Sequence, residues 1–340
     1  MKKTLFLLMT ALFTASCSSL PAGTSDVTAG AISTQAHNQA EANYHFLVGN
    51  SREQAGDFDG AIEEYTKAFR LDPRSSEIAL SLASLSIRND QIEVATRFAQ
   101  KAVELAPNET RTLLLLASIY TARKEHEKAV ALYQRVIQIE PSHENSYIFL
   151  GRLYASLKQY DKSAKTFRAL EKRNPSSVMA PYYLGRIYIE QQKYTKALAE
   201  FKRLLTRQSD FAPAHTSMGY IYELMNRPGD AVKSYKKAVQ LNPHNFELVQ
   251  RLAQLYIQQN QLNEALEEFK RIIAVNPENY SAHIKMGLIY VENKQYEQAI
   301  TSFTIAARAL PDDLKIKHYL GSTFISAERY DEALAVYQEI

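Results

Sequence analysis

The chain has 340 residues, with 40 Lys and Arg against 37 Asp and Glu, a formal net charge of +3, and one cysteine, Cys17. Near-balance of charge argues against a nucleic-acid binder that relies on a general phosphate footprint, and a lone cysteine excludes an internal disulfide framework or a cysteine-based metal site. Helix formers dominate, and seven of the 11 prolines share one phase, so they punctuate the chain.

Residues 1–16 have a basic start at Lys2 and Lys3, an apolar run from Leu5 to Phe13, and small residues before Cys17. This is the layout of a secretory signal, and the run is too short to cross a bilayer. Removing the two lysines would leave a net charge of about +1. Thr14-Ala15-Ser16-Cys17 resembles the lipobox of bacterial lipoproteins, with Thr14 where that family usually has Leu. The resemblance implies cleavage before Cys17 and a lipid anchor upon it, and Ser18 in second place implies the Gram-negative outer membrane, facing the periplasm. From the residues alone, an ordinary signal peptide cut nearby remains the other reading. Residues 17–41 are rich in Ser, Thr, Ala and Gly, with few apolar anchors, and are expected to form a flexible tether carrying the lipidated cysteine.

Residues 42–340 repeat. Pro73, Pro107, Pro141 and Pro175 are spaced by 34 residues; Ser209 takes the next place, and Pro243, Pro277 and Pro311 resume the phase. With that proline at position 32, units start at 42, 76, 110, 144, 178, 212, 246, 280 and 314, eight complete and the ninth partial. The unit from Tyr280 to Asp313 shows the design. Met286, Gly287 and Tyr290, then Ala299, Phe303 and Ala306, fall at helical spacing on either side of a polar break at Asn293–Gln295. Pro311 closes the unit, and Asp312 and Asp313 offer N-cap oxygens to the next helix.

Position 7 is apolar in every unit, position 8 is always Gly or Ala, position 11 is Tyr from Tyr120 to Tyr290, position 20 is Ala except at Ser163, and position 24 is mostly Tyr or Phe. Size pattern, period and proline together resemble the tetratricopeptide repeat family. The resemblance implies an all-α, right-handed superhelical solenoid of helix-turn-helix repeats. Tryptophan is missing: position 4 holds residues such as His45, Tyr147, His215 and His283. Pro213 and the Asn226-Arg227-Pro228-Gly229 turn make residues 205–230 the expected place for a change of curvature.

No phosphate-binding glycine loop, His-x-x-x-His pair or carboxylate pair off the solvated helix faces is present, so no catalytic residue, metal ligand or cofactor is expected. His45, His215 and His283 share position 4, which points to packing.

In a protein resembling this family the concave side is lined by positions 2, 5, 6, 9, 12 and 13 of each first helix. Those positions put Leu114, Phe149, Arg152, Tyr182, Tyr183, Arg186, Tyr220, Glu223, Arg251 and Lys285 in the groove, with Leu115 and Ile148 beside them and Gln250, Gln254, His318 and Tyr319 making its far end more polar and basic. Aromatic residues interleaved with arginine are a composition enriched at protein interfaces. The family's carboxylate clamp for chaperone tails is not matched. The expected function is a non-enzymatic scaffold, anchored in the envelope by lipid, that holds a protein or peptide partner in its groove. Lipoproteins of similar build serve as pilotins for pilus secretins or as adaptors for cell-wall hydrolases. The alternative is the N-terminal scaffold of a longer protein with an export or enzymatic function such as polysaccharide secretion. The unfinished second helix at Tyr337–Ile340 motivates that alternative, and also suggests self-association through this end.

Overall fold

The computed structural model describes residues 25–339, with side chains from residue 37 onward; the signal segment and Cys17 lie outside the described residues. Those residues form eighteen α-helices and no strand. They divide into two units, one up to Ile139 and one from Glu140. The first holds α1 (Ser25–Gln54), α2 (Phe58–Leu71), α3 (Ser76–Arg88), α4 (Ile92–Leu105), α5 (Thr110–Ala122) and α6 (His126–Ile139). The second holds α7 (Glu144–Ser156), α8 (Tyr160–Arg173), α9 (Met179–Glu190), α10 (Tyr194–Leu205), α11 (Ala212–Leu224) and α12 (Pro228–Leu241). It continues with α13 (Phe246–Gln258), α14 (Leu262–Val275), α15 (Tyr280–Glu292), α16 (Tyr296–Ala309), α17 (Leu314–Ser326) and α18 (Tyr330–Gln338).

The first helix of each repeat from the second onward starts at the register position read from the prolines, one residue late at α9. Local chemistry sets these starts. Asp313 Oδ1 accepts from the Lys315 N–H at 2.9 Å, and Asn279 Oδ1 accepts from the Ala282 N–H at 3.0 Å. Each satisfies an N–H that the first turn of a helix leaves without a partner. Each repeat then turns at position 15 with a left-handed residue. Gly56 has φ 81, and eight non-glycine residues, including Lys158, Gln192, Asn226 and Asn260, lie between 54 and 62. The turn closes with the N–H of position 16 on the carbonyl of position 11, as in Gln159 to Tyr154 at 2.8 Å.

The alternation of small and large residues is the packing code. A Cβ added at Gly185 would sit 2.6 Å from the Phe201 ring, and one at Gly287 would sit 2.6 Å from the Phe303 ring. The glycine at position 8 thus leaves room for the aromatic ring at position 24 of its own repeat. Phe167, Phe201, Phe269 and Phe303 are fully buried, each contributing about 1.5–3 kcal/mol relative to an exposed ring. Within each unit every helix packs on its neighbours in sequence, and first helices of successive repeats also touch, as α7 with α9 and α9 with α11. In the first unit, the second repeat has Ala99 at position 24 and moves its ring to Phe98, which meets Phe69 edge-on at 5.5 Å.

Position 4 takes over from the missing tryptophan by hydrogen bonding. The Tyr147 hydroxyl donates to the Pro141 carbonyl, His215 bonds the Ser209 carbonyl and His283 the Pro277 carbonyl, each at 3.0 Å. All three acceptors are at position 32, in the loop just before the side chain's own helix, so each of these side chains fixes the loop that leads into its repeat. His45 instead bonds Glu64 at 2.6 Å.

One sequence expectation changes. The stretch read as a flexible tether, residues 17–41, is helical from Ser25 on, because α1 runs unbroken into the first repeat. Extending a helix already nucleated fixes one residue per new hydrogen bond, and no proline after Pro21 interrupts it. The 205–230 region does not interrupt the core of the second unit: Ala197, Phe201, Met218, Tyr235 and Leu252 belong to one buried cluster. Pro213 and Pro228 sit in the first turns of α11 and α12, where the absent N–H costs no helical bond.

Candidate functional site

The predicted groove residues divide between the units. Leu114 and Leu115, on α5, are half-buried residues of the first unit. Phe149, Arg152, Tyr182, Tyr183, Arg186, Tyr220, Glu223, Arg251 and Lys285 all lie in the second, on the first helices of successive repeats. There three concavities follow one another and share walls. The first, about 410 Å³, is lined by Arg152, Lys158, Tyr183, Arg186 and Glu190 among others. The second, about 270 Å³, shares Arg186 and Glu190 with it and adds Tyr182, Thr216 and Tyr220. The third, about 570 Å³, shares Thr216 and Tyr220 and continues past Tyr235, Gln250, Arg251 and Gln254 to Lys285.

The aromatic floor is built from packing. Tyr183 stacks on the buried Phe167 with ring centroids 5.0 Å apart and planes at 13°. Tyr182 meets Tyr183 edge-on at 5.3 Å and Phe211 edge-on at 5.4 Å. Both rings are therefore held in place before anything binds. Phe149 and Tyr220 remain 40% and 45% exposed. Ile148 is buried and belongs to the core rather than the groove. At the far end Tyr319 stacks on Phe303 at 5.6 Å and His318 lies 6.0 Å from the Tyr337 ring.

The charges behave in two ways. Arg152 and Arg186 are exposed, and no carboxylate among the described residues comes within ion-pair distance of either. Glu223 and Arg251, by contrast, are partners of each other. Arg251 Nε donates to Glu223 Oε1 at 2.9 Å and its Nη2 to Oε2 at 2.7 Å. The buried Tyr235 hydroxyl also donates to Glu223 Oε1, at 2.6 Å. Burial, and then the Glu223 carboxylate, hold the Tyr235 phenol well above its usual ionisation range. The hydrogen bond to Glu223 likewise raises the Arg251 guanidinium, so both groups keep their protons at neutral pH. Arg251 lines the third concavity, and with Glu223 it forms an internal clasp across successive repeats. Lys285 approaches the face of Phe269, 5.7 Å from its centroid.

Glu190, Asn245 and Glu247 were not anticipated as lining residues. Glu190 could have been found, since it holds position 13 of its repeat and the same concave register. Among the described residues no group of three or more His, Cys, Asp or Glu is placed to hold a metal ion, and no helix is long and apolar enough to cross a membrane.

Family models described as tetratricopeptide repeat match residues 53–119, 224–288 and 256–319 with one model, 150–213 with a second and 112–144 with a third. Among solved structures, the chain is similar to a tetratricopeptide repeat protein from Parabacteroides merdae, at 18% identity and TM-score 0.55, covering 74% of this chain and 99% of that one. It is also similar to the C-terminal part of a repeat protein from Cytophaga hutchinsonii, at 15% identity and TM-score 0.54, covering 71% and 99%. No curated protein matched the chain. The repeat register, the helix pairs and the matches along residues 53–319 lead to one conclusion: this chain belongs to the tetratricopeptide repeat family.

Proposed function

We propose that the protein is a non-enzymatic scaffold that captures a protein segment in the groove of its second unit, and that lipid on Cys17 anchors it in a bacterial envelope, at the periplasmic face of the outer membrane. The observation that carries the groove reading is the row of three connected concavities, the first two of which set rings fixed by packing beside Arg152 and Arg186, arginines with no ion-pair partner among the described residues. Such a surface places amphipathic rings and a guanidinium where a partner can bury them, the combination that dominates binding energy at interfaces. An adaptor for a secretin or for a cell-wall hydrolase is the kind of role this arrangement suits.

Capture from native envelope extracts tests it. The double change Tyr183→Ala with Arg186→Ala is expected to remove most of the captured partner, and undiminished capture would overturn the groove assignment. Lipidation is checked separately, by metabolic labelling with a palmitate analogue that Cys17→Ala abolishes. Self-association is assigned to α18, where Tyr330 and Leu334 are 65% and 58% exposed. Leu334→Glu should then lower the mass measured by light scattering.

A further inference from the structure

Resting on the groove reading above, the geometry points to an acidic segment in polyproline II conformation as the occupant of the groove's first half, with two carboxylate side chains three residues apart. Arg152 and Arg186 both hold position 9, on α7 and α9, and line one cavity. Their formal charges are joined there by Lys158, against the single carboxylate of Glu190, leaving the cavity positive. A guanidinium with no internal partner is set to take a carboxylate through two parallel N–H donors.

The spacing narrows the choice. Because α7 and α9 are helices in direct contact, equivalent residues on them recur at about 8–10 Å, the distance between packed helix axes. A polyproline II chain advances about 3.1 Å per residue with three residues per turn, so every third side chain returns to the same face after about 9 Å. That repeat matches the spacing of the two helices that carry the arginines. A β-strand returns side chains to one face every second residue, about 6.6 Å apart, and does not match them. In the same cavity the half-buried Tyr183, held in place by stacking on Phe167, offers apolar surface to an intervening side chain. The Glu223–Arg251 clasp ends this half, because its carboxylate already occupies the next guanidinium.

The test is a selection of twelve-residue peptides from a random phage-displayed library on the full chain, followed by fluorescence anisotropy with the selected peptides. Selected sequences are expected to share two acidic residues three apart. Combining Arg152→Gln with Arg186→Gln should weaken them about a hundredfold, two charge-assisted contacts at about tenfold each, with the helical circular dichroism signal retained. Selected peptides without the acidic pair, or with pairs at other spacings, overturn the inference, as does affinity that survives both changes. Displacement of the peptide by heparin or oligo(dT) at equal charge concentration would reveal a general polyanion surface and overturn it as well. Failure of the groove reading itself looks different: either no peptide is selected, or the selected peptides bind equally well to a Tyr183→Ala, Tyr220→Ala variant.

Discussion

On α7 and α9 the groove carries arginines with no ion-pair partner among the described residues, whereas on α11 and α13 the same surface closes on itself through Glu223, Arg251 and Tyr235. Both stretches read alike as charge interleaved with tyrosine, yet one is open to a partner and the other is spent on joining two repeats. Composition along a groove therefore identifies where a ligand can lie. The pairing between neighbouring helices decides which residues are still free to hold it.

The sharpest way to break this difference is from below the clasp. A Cβ at Gly219 would meet the Tyr235 ring at 2.6 Å, so Gly219→Leu should displace that ring, open the clasp and cost about 3 kcal/mol or more, read from urea unfolding. Glu223→Ala comes next, at about 1–2 kcal/mol, because it strips the buried Tyr235 hydroxyl of its acceptor while the 54% exposed Arg251 regains water. By contrast, Arg186→Ala should move stability by less than about 0.5 kcal/mol and act on partner capture alone. A loss of stability at Arg186 comparable to that at Glu223 would erase the distinction between the two halves.

A pH experiment sharpens the same point. The Tyr235 pKa is raised in the folded state by burial and by Glu223, so its contribution is fully present below the usual tyrosine value of 10 and is lost as pH rises further. Tyr235→Phe should cost about 1 kcal/mol at pH 7 and flatten the alkaline fall in stability above about pH 10. An unchanged alkaline limb would show that the hydroxyl is not held this way. A further modest effect lies in the turns. The open half uses Lys158 and Gln192 at positive φ, whereas the closed half uses Asn226 and Asn260, a residue type that tolerates this conformation. Lys158→Gly should stabilise by about 0.5–1 kcal/mol in thermal unfolding, while Asn226→Gly should be near neutral.

Much of the fold was legible because it is written at short range and then repeated. Prolines at one phase, a small residue at position 8 and a ring at position 24 identify helix pairs without any long-range information, and the helix starts follow them. The tether was misjudged because composition describes a segment by itself. Residues 25–41 are helical by continuing a helix anchored in the first repeat. At the site, register alone picked Arg152, Tyr182, Tyr183, Arg186, Tyr220, Arg251 and Lys285, which line the three concavities. It could not distinguish Ile148, which is buried, from Phe149 beside it, which is 40% exposed, because one residue along a helix turns a side chain by about 100° between two packed neighbours.

The sequence by itself determined the period and the helix pairs, since these depend on spacings within one repeat of 34 residues. Only the tertiary structure decided that Glu223 and Arg251, 28 residues apart, are partners while Arg152 and Arg186 form no ion pair among the described residues. Ion pairing depends on distances of a few ångströms across adjacent helices, and those distances are set by how the buried rings let successive repeats approach.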